Sequence, residues 1–175
     1  GLFDMETAQQ SAGWIKELQE EHTPETEEYG ISSFVFRARR PFHPERLINV
    51  LRGKMVESVL RSKGYFWLGS RHDVGLNWSL AGRTARVSPA GNWLAAIPAV
   101  ERPQGEHVDE YIAEYWEEPF GDRRQELVFI GQNMPKDELI AALYDALLTD
   151  AELAAGEDAW RDYPDPFPVF QQVAQ

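Results

Sequence analysis

The stretch Gly121-Asp-Arg-Arg-Gln-Glu-Leu-Val-Phe-Ile-Gly131 joins a polar turn, with two acids and two arginines in five residues, to an unbroken apolar run. An apolar run as short as 127–130, without alternation, is the pattern of a central strand covered on at least one face. A helix is expected to follow from Pro135. Proline suits a first helical turn, Asp137 and Glu138 favour its positive end, and Leu139, Ile140, Leu143, Tyr144 and Leu147 recur at helical spacing. Beyond it Thr149-Asp-Ala-Glu152 reads as a capping box that restarts a short helix ended by Gly156. The proline-rich segment 163–168 reads as extended chain packed by Phe167 and Phe170.

Upstream of the stretch, Val108, Tyr111, Ile112, Tyr115 and Trp116 mark the inner side of a helix over about 107–118, stopped by Pro119-Phe-Gly121. Residues 65–70, 76–80, 84–88 and 93–97 are short, aromatic or branched, and separated by glycine or proline, which predicts an antiparallel meander. Pro44 opens an amphipathic helix whose stripe of Leu47, Ile48, Leu51, Met55, Val59 and Leu60 continues until Gly64. Residues 31–38 alternate as a strand, with Phe34 and Phe36 on one face. A first helix is expected from Asp4, its cap, with Ala8, Ala12, Ile15 and Leu18 at helical spacing. The acidic connector 20–28 follows without apolar periodicity. Helices and strands do not alternate regularly, so the expected fold is α+β: a mixed, largely antiparallel sheet with helices packed mainly on one face. The expected layout is a helix and connector over 1–28, one domain over 29–170, and a tail over 171–175.

A chain of 175 residues with 43% hydrophobic content can bury one sizeable core. With no cysteine it has no disulfide framework, and no apolar stretch reaches the roughly 18 residues that a membrane span needs. Gly1-Leu-Phe-Asp4 leads into a polar pattern unlike a signal peptide, so the expected compartment is cytoplasmic and no membrane partner is expected. A net charge of -12 argues against nucleic acid as a partner, because such binders neutralise phosphates. The charge is segregated, however. Arg37, Arg39, Arg40, Arg46, Arg52, Lys54, Arg61 and Lys63 stand against Glu45 and Glu57, a segment of formal charge +6. Arg52 and Lys54 on this basic face are candidates for docking an acidic partner; the alternative is a solvated face whose arginines are neutralised internally.

Six further blocks accompany the opening stretch in order: Tyr29-Gly-Ile-Ser-Ser-Phe34, Arg40-Pro-Phe-His-Pro-Glu-Arg46, Arg61-Ser-Lys-Gly-Tyr-Phe-Trp-Leu68, Trp78-Ser-Leu-Ala-Gly82, Leu148-Thr-Asp-Ala-Glu152 and Asp165-Pro-Phe-Pro168. Together they resemble the C-terminal domain of the CobW-type GTPases, in the branch related to zinc. The resemblance implies a partner-binding, client-binding or regulatory domain of a GTP-dependent metal chaperone, with zinc as the metal, or cobalt. GTP, Mg and Zn would belong to the complete protein, and the implied partners are its own GTPase domain and a client metalloprotein. Two positions depart from the family pattern: Leu80 where glutamine is common, and Ala146 where cysteine is common.

The nucleotide machinery itself is not in this sequence. A P-loop needs G-x-x-x-x-G-K-[ST], and at Gly53-Lys54 the next residue is Met55 while Ile48 occupies the earlier glycine position. Without cysteine, the family's C-x-C-C zinc motif is also absent. No catalytic residues and no bound cofactor are therefore expected in this chain. A stand-alone metal-dependent hydrolase is the competing reading, resting on abundant carboxylates and scattered histidines; a nucleic-acid-binding domain is weaker still. His72 and Asp73, joined in space by Glu106 or His107, are the candidate metal ligands, against the reading of a solvated loop histidine. Arg123 and Arg124 are candidates to meet a partner carboxylate or phosphate, or else to fix the turn against neighbouring strands. Trp78, next to Asn77 and Ser79, is expected to be half exposed and available to a partner.

Overall fold

The apolar run 127–130 lies inside a five-stranded sheet of order β1-β5-β2-β3-β4. The computed structural model describes residues 1–3, 5–20 and 29–170. Its strands are β1 (Ile31–Ala38), β2 (Val59–Phe66), β3 (Val74–Ala81), β4 (Thr84–Asn92) and β5 (Gln125–Gln132). Each ladder of the sheet is antiparallel, and β5 pairs on both sides, with Phe34 opposite Phe129 and Gly64 opposite Leu127. Its helices are α1 (Met5–Glu20), α2 (Pro44–Leu51), α3 (Glu106–Tyr115), α4 (Lys136–Ala146), α5 (Asp150–Ala155) and α6 (Glu157–Trp160). None of these is long and apolar enough to cross a membrane. The α+β class therefore holds. The expected cap Asp4, most of the connector (21–28), the side chain of Leu18 and the tail 171–175 lie outside the described residues.

Alternation along the strands builds two cores. Phe34, Phe36, Leu127, Phe129, Phe66, Leu76, Trp78 and Leu80 form the larger one with Leu47 of α2 and Leu139, Leu143 and Ala146 of α4. The opposite side of the sheet offers Tyr65, Trp67 and Ala90, which pack with Ala8 of α1, with Val108 and Tyr111 of α3, and with Phe3, Trp93 and Leu94. Each terminal region closes one core: Phe3 stacks on Trp93 at 4.5 Å, and Phe167 lies 5.3 Å from Phe66.

Three expected elements are corrected. The helix opened by Pro44 ends at Leu51, and Gly53, in extended conformation, separates it from a single 3-10 turn at Lys54–Val56. Strand β2 comes next, and in it a bulge between Val59 and Arg61 breaks the two-residue period and lets Met55, Val59 and Leu60 imitate a helical stripe. Gly64 is thus no helix terminator but an interior strand residue with φ +147, where a Cβ would strike the Glu126 carbonyl of β5. Residues 93–97 form a 3-10 turn at Leu94–Ala96 in place of a strand, because the Leu94 and Ala95 amides are taken by the distant Asp122 carboxylate. Finally, the helix expected to reach 118 stops at Tyr115.

Candidate functional site

The polar turn that precedes β5 is buried. Asp122 is 0% exposed and Glu126 6%, with Arg123, Arg124 and Gln125 between them equally withdrawn. A buried polar residue must find partners or destabilise the fold, and here each finds them outside the turn. The Asp122 carboxylate accepts from the Leu94 and Ala95 amides, both at 2.9 Å, and from the Tyr111 hydroxyl at 2.7 Å. The Gln125 carboxamide accepts from the Trp67 amide at 2.6 Å and donates to the Trp67 and Arg40 carbonyls at 2.8 and 2.7 Å. Arg123 donates to the carbonyls of His72 (2.8 Å) and Phe120 (3.2 Å).

Arg124 is the centre of the arrangement. Its guanidinium lies 3.7 Å from the Tyr115 ring centre and within 6.0 Å of the Tyr65, Tyr111, Phe3 and Trp93 rings. Nε donates to the Tyr65 hydroxyl (3.1 Å), and Nη1 donates to the Tyr111 hydroxyl (3.1 Å) and the Asp122 carbonyl (2.7 Å). Tyr65 in turn donates to Glu126, and Tyr111 to Asp122. Two phenols thus connect one buried cation to two buried carboxylates. Burial opposes the charge on Arg124, yet the two tyrosines more than offset it, so its pKa is raised. Both phenols are pushed up, chiefly by burial, and stay protonated donors.

The reading in which the arginines fix the turn is therefore the one their contacts match, although their partners are carbonyls and phenols and not the neighbouring acids. Arg123 and Arg124 are both buried and present no exposed guanidinium at the surface. Trp78 also needs correction: it is 5% exposed, and its indole donates to the Ser62 hydroxyl at 2.8 Å, which donates to the Val128 carbonyl at 2.8 Å. Its polar neighbours Asn77 and Ser79 point to the opposite face, as the strand period requires.

The candidate metal ligands are not brought together. Among the described residues no three histidine or acidic side chains are grouped to hold a metal. The His72 imidazole packs against Trp67 and Trp160, both at 5.5 Å, and burial with the nearby Arg123 cation lowers its pKa from 6.5 to about 4. Asp73 is exposed, 3.7 Å from Arg123, and His107 lies on the exposed side of α3.

The basic segment does not form one face. Arg37, Arg39, Arg40 and Arg46 pair with Glu126, Glu117, Asp150 and Glu152. Arg61 on β2 lies over Trp14 of α1 at 5.6 Å. Arg52 and Lys54 are exposed where α2 ends, and neither forms an ion pair among the described residues. Arg37, Arg39 and Arg40 line a cleft of about 870 Å3 with Phe120, Tyr144 and Leu148.

Residues 31–147 match the cobalamin synthesis protein cobW C-terminal domain. The chain belongs to that family. Over its full length it is 47% identical to the zinc-regulated GTPase metalloprotein activator 1 of Dictyostelium discoideum, of which it spans 37%. It is 37% identical, over 75% of its length, to the zinc chaperone Rv0106 of Mycobacterium tuberculosis, spanning 33% of that protein. The crystal structure of the Zn(II)-bound YjiA GTPase from E. coli is similar with a TM-score of 0.48 at 21% identity, over 73% of this chain and 33% of that one.

Within this cobW C-terminal domain the blocks that carried the resemblance meet one another. Arg46 holds Glu152 through both oxygens, at 3.1 and 2.5 Å, and Arg40 holds Asp150 at 2.5 Å. Tyr65 joins Arg124 and Glu126. The last block meets the 61–68 block through Phe167 and Phe66 at 5.3 Å, while Asp165 accepts from Ser70 at 2.6 Å and from Arg71 at 2.8 and 3.1 Å, just past that block. Sequence reasoning missed Gln125 and the tyrosine surround of Arg124. The only signal was that Tyr65 and Gln125 lie inside blocks typical of the family, which marks them without naming their partners. The two departures sit in apolar places, Leu80 and Ala146 both being buried in the larger core.

Proposed function

We propose that this chain is the partner-binding or client-binding C-terminal domain of a cytoplasmic, GTP-dependent zinc chaperone. In this reading GTP, Mg and Zn, or Co, are held by a GTPase domain outside the residues described, and the partners are that domain and a client metalloprotein. The observation that carries it is the 47% identity, along the whole chain, to a protein named as a zinc-regulated GTPase metalloprotein activator, of which the chain corresponds to 37%. The chemistry agrees. The chain has no cysteine and no glycine-rich loop ending in lysine and a hydroxyl, so it offers neither thiolates for zinc nor a P-loop for the phosphates of GTP. Most polar groups of the turn are engaged in holding the fold, which leaves the surface for recognition of a macromolecular partner.

The test compares GTP turnover by this chain with turnover by the same chain joined to the GTPase domain of its protein. The chain alone is expected to release no phosphate and to leave GTP unbound, while the joined form is active. Turnover by the clean chain, abolished by a single substitution within it, overturns the proposal and favours the hydrolase reading.

A further inference from the structure

We propose that the cavity of about 440 Å3 enclosed by α1, the end of β1 and α3 is a binding site for a small oxyanion, a carboxylate or phosphate group, held between Arg124 and Arg39. This site stands apart from the GTPase partnership and does not depend on it.

Both arginines line the cavity, and both are fastened to the same residue. The Tyr115 ring lies over the Arg124 guanidinium, and the Tyr115 carbonyl accepts from Arg39 Nη1 at 2.6 Å, with the Gly121 carbonyl at 3.2 Å. Two cations are thereby set side by side in a partly enclosed space. Arg124 Nη2 is buried and has no hydrogen-bond partner, although every other nitrogen of that group is engaged. A buried guanidinium nitrogen left unpaired costs free energy that an acceptor would recover. The Arg39 side chain is 35% exposed, with Nε facing Glu117 at 3.2 Å and, among the described residues, no hydrogen bond from Nη2.

The protein's own carboxylates do not fill the gap. Asp122 is saturated by two amides and a phenol, and Glu126 by Tyr65 and Arg37. Glu114, exposed on α3, is the remaining acid in the lining and the natural competitor of an incoming anion. Arg39 has a lowered pKa, first through burial and then through the neighbouring Arg124, an effect that Glu117 offsets only in part. Planar guanidiniums suit two-oxygen anions, which each can grip through paired N–H groups.

The experiment follows the arginine side-chain N–H signals of the labelled protein by NMR while sodium acetate or sodium phosphate replaces sodium chloride at constant ionic strength. Saturable shifts of Arg124 and Arg39 are expected with the oxyanion and not with chloride. Tighter binding of acetate assigns a carboxylate, and tighter binding of phosphate assigns a phosphate group. Arg39→Gln is expected to weaken binding about tenfold, the loss of one charge-assisted hydrogen bond. Glu114→Gln, at an exposed position where folding is not at risk, is expected to tighten it. Failure of both anions to give saturable shifts overturns the site, as does saturable binding that neither substitution alters.

Discussion

Asp122 serves three donors with one carboxylate, and two of them are backbone amides of a turn that has no strand neighbour. Removing it leaves those donors buried and unpaired, a loss counted per group and not per bond. Asp122→Ala is therefore expected to cost at least about 3 kcal/mol in urea denaturation, and Asp122→Asn less, because one acceptor remains. His72 gives a pH signature. Its folded pKa is depressed to about 4 from 6.5, so between these values the unfolded chain binds the proton more readily than the folded one. The contribution is whole above 6.5 and is lost as pH falls through 4. In His72→Phe, whose ring still suits the Trp67 and Trp160 surround, melting temperature is expected to fall less steeply across that window than in the parent. Equal slopes remove His72 as the titrating group.

Between elements, α2 and α5 are joined by Arg46 and Glu152, and Arg46 also donates to the Leu147 carbonyl at the end of α4. The Arg46 hydrogen bonds, reinforced by the Thr149 amide, hold the Glu152 carboxyl down at about 2. A pair this ordered is worth more than an ordinary surface pair. A double-mutant cycle with Arg46→Met and Glu152→Gln is expected to give a coupling of about 1–2 kcal/mol near neutral pH. The coupling fades as pH drops below 4.5 toward 2, where the carboxylate takes up its proton. These same elements show what local sequence can carry. The capping box at Thr149 was legible because both of its hydrogen bonds lie within four residues, Glu152 N to Thr149 Oγ1 at 3.1 Å and Thr149 N to Glu152 Oε1 at 2.9 Å. Strand β5 was legible from its unbroken apolar run. β2 was not, because its bulge broke the alternation and its inner face uses Ser62 and Gly64, small residues under Trp78 and against β5. The turn after Trp93 was illegible for a different reason: the carboxylate that organises it is 28 residues away. The candidate site was legible as a stretch of unusual composition, but its partners come from β1, β2, α3 and the turns at His72 and Leu94, and no local pattern announces them.

At the level of the whole protein, and under the proposed function, the exposed Arg52 and Lys54 form no ion pair among the described residues and are free to meet a partner. Reversing both to glutamate is expected to leave thermal stability nearly unchanged while weakening association with the separately produced GTPase domain at low salt. Association indifferent to the substitutions and to salt removes docking from this region. The stabilising contacts also reach well beyond the residues that match the family. Those end at 147, whereas Phe167 fills the larger core and Asp165 grips Arg71; they start at 31, whereas Phe3 stacks on Trp93 beside Arg124. A fragment trimmed to 31–147 would expose Phe66 and Trp93 at once and lose Glu152, the counter-ion of Arg46. Such a fragment should aggregate or fall quickly to trypsin, while 1–170 survives. The unit that can be cut out, moved or fused is thus set by where its two aromatic plugs sit and not by where its family pattern stops.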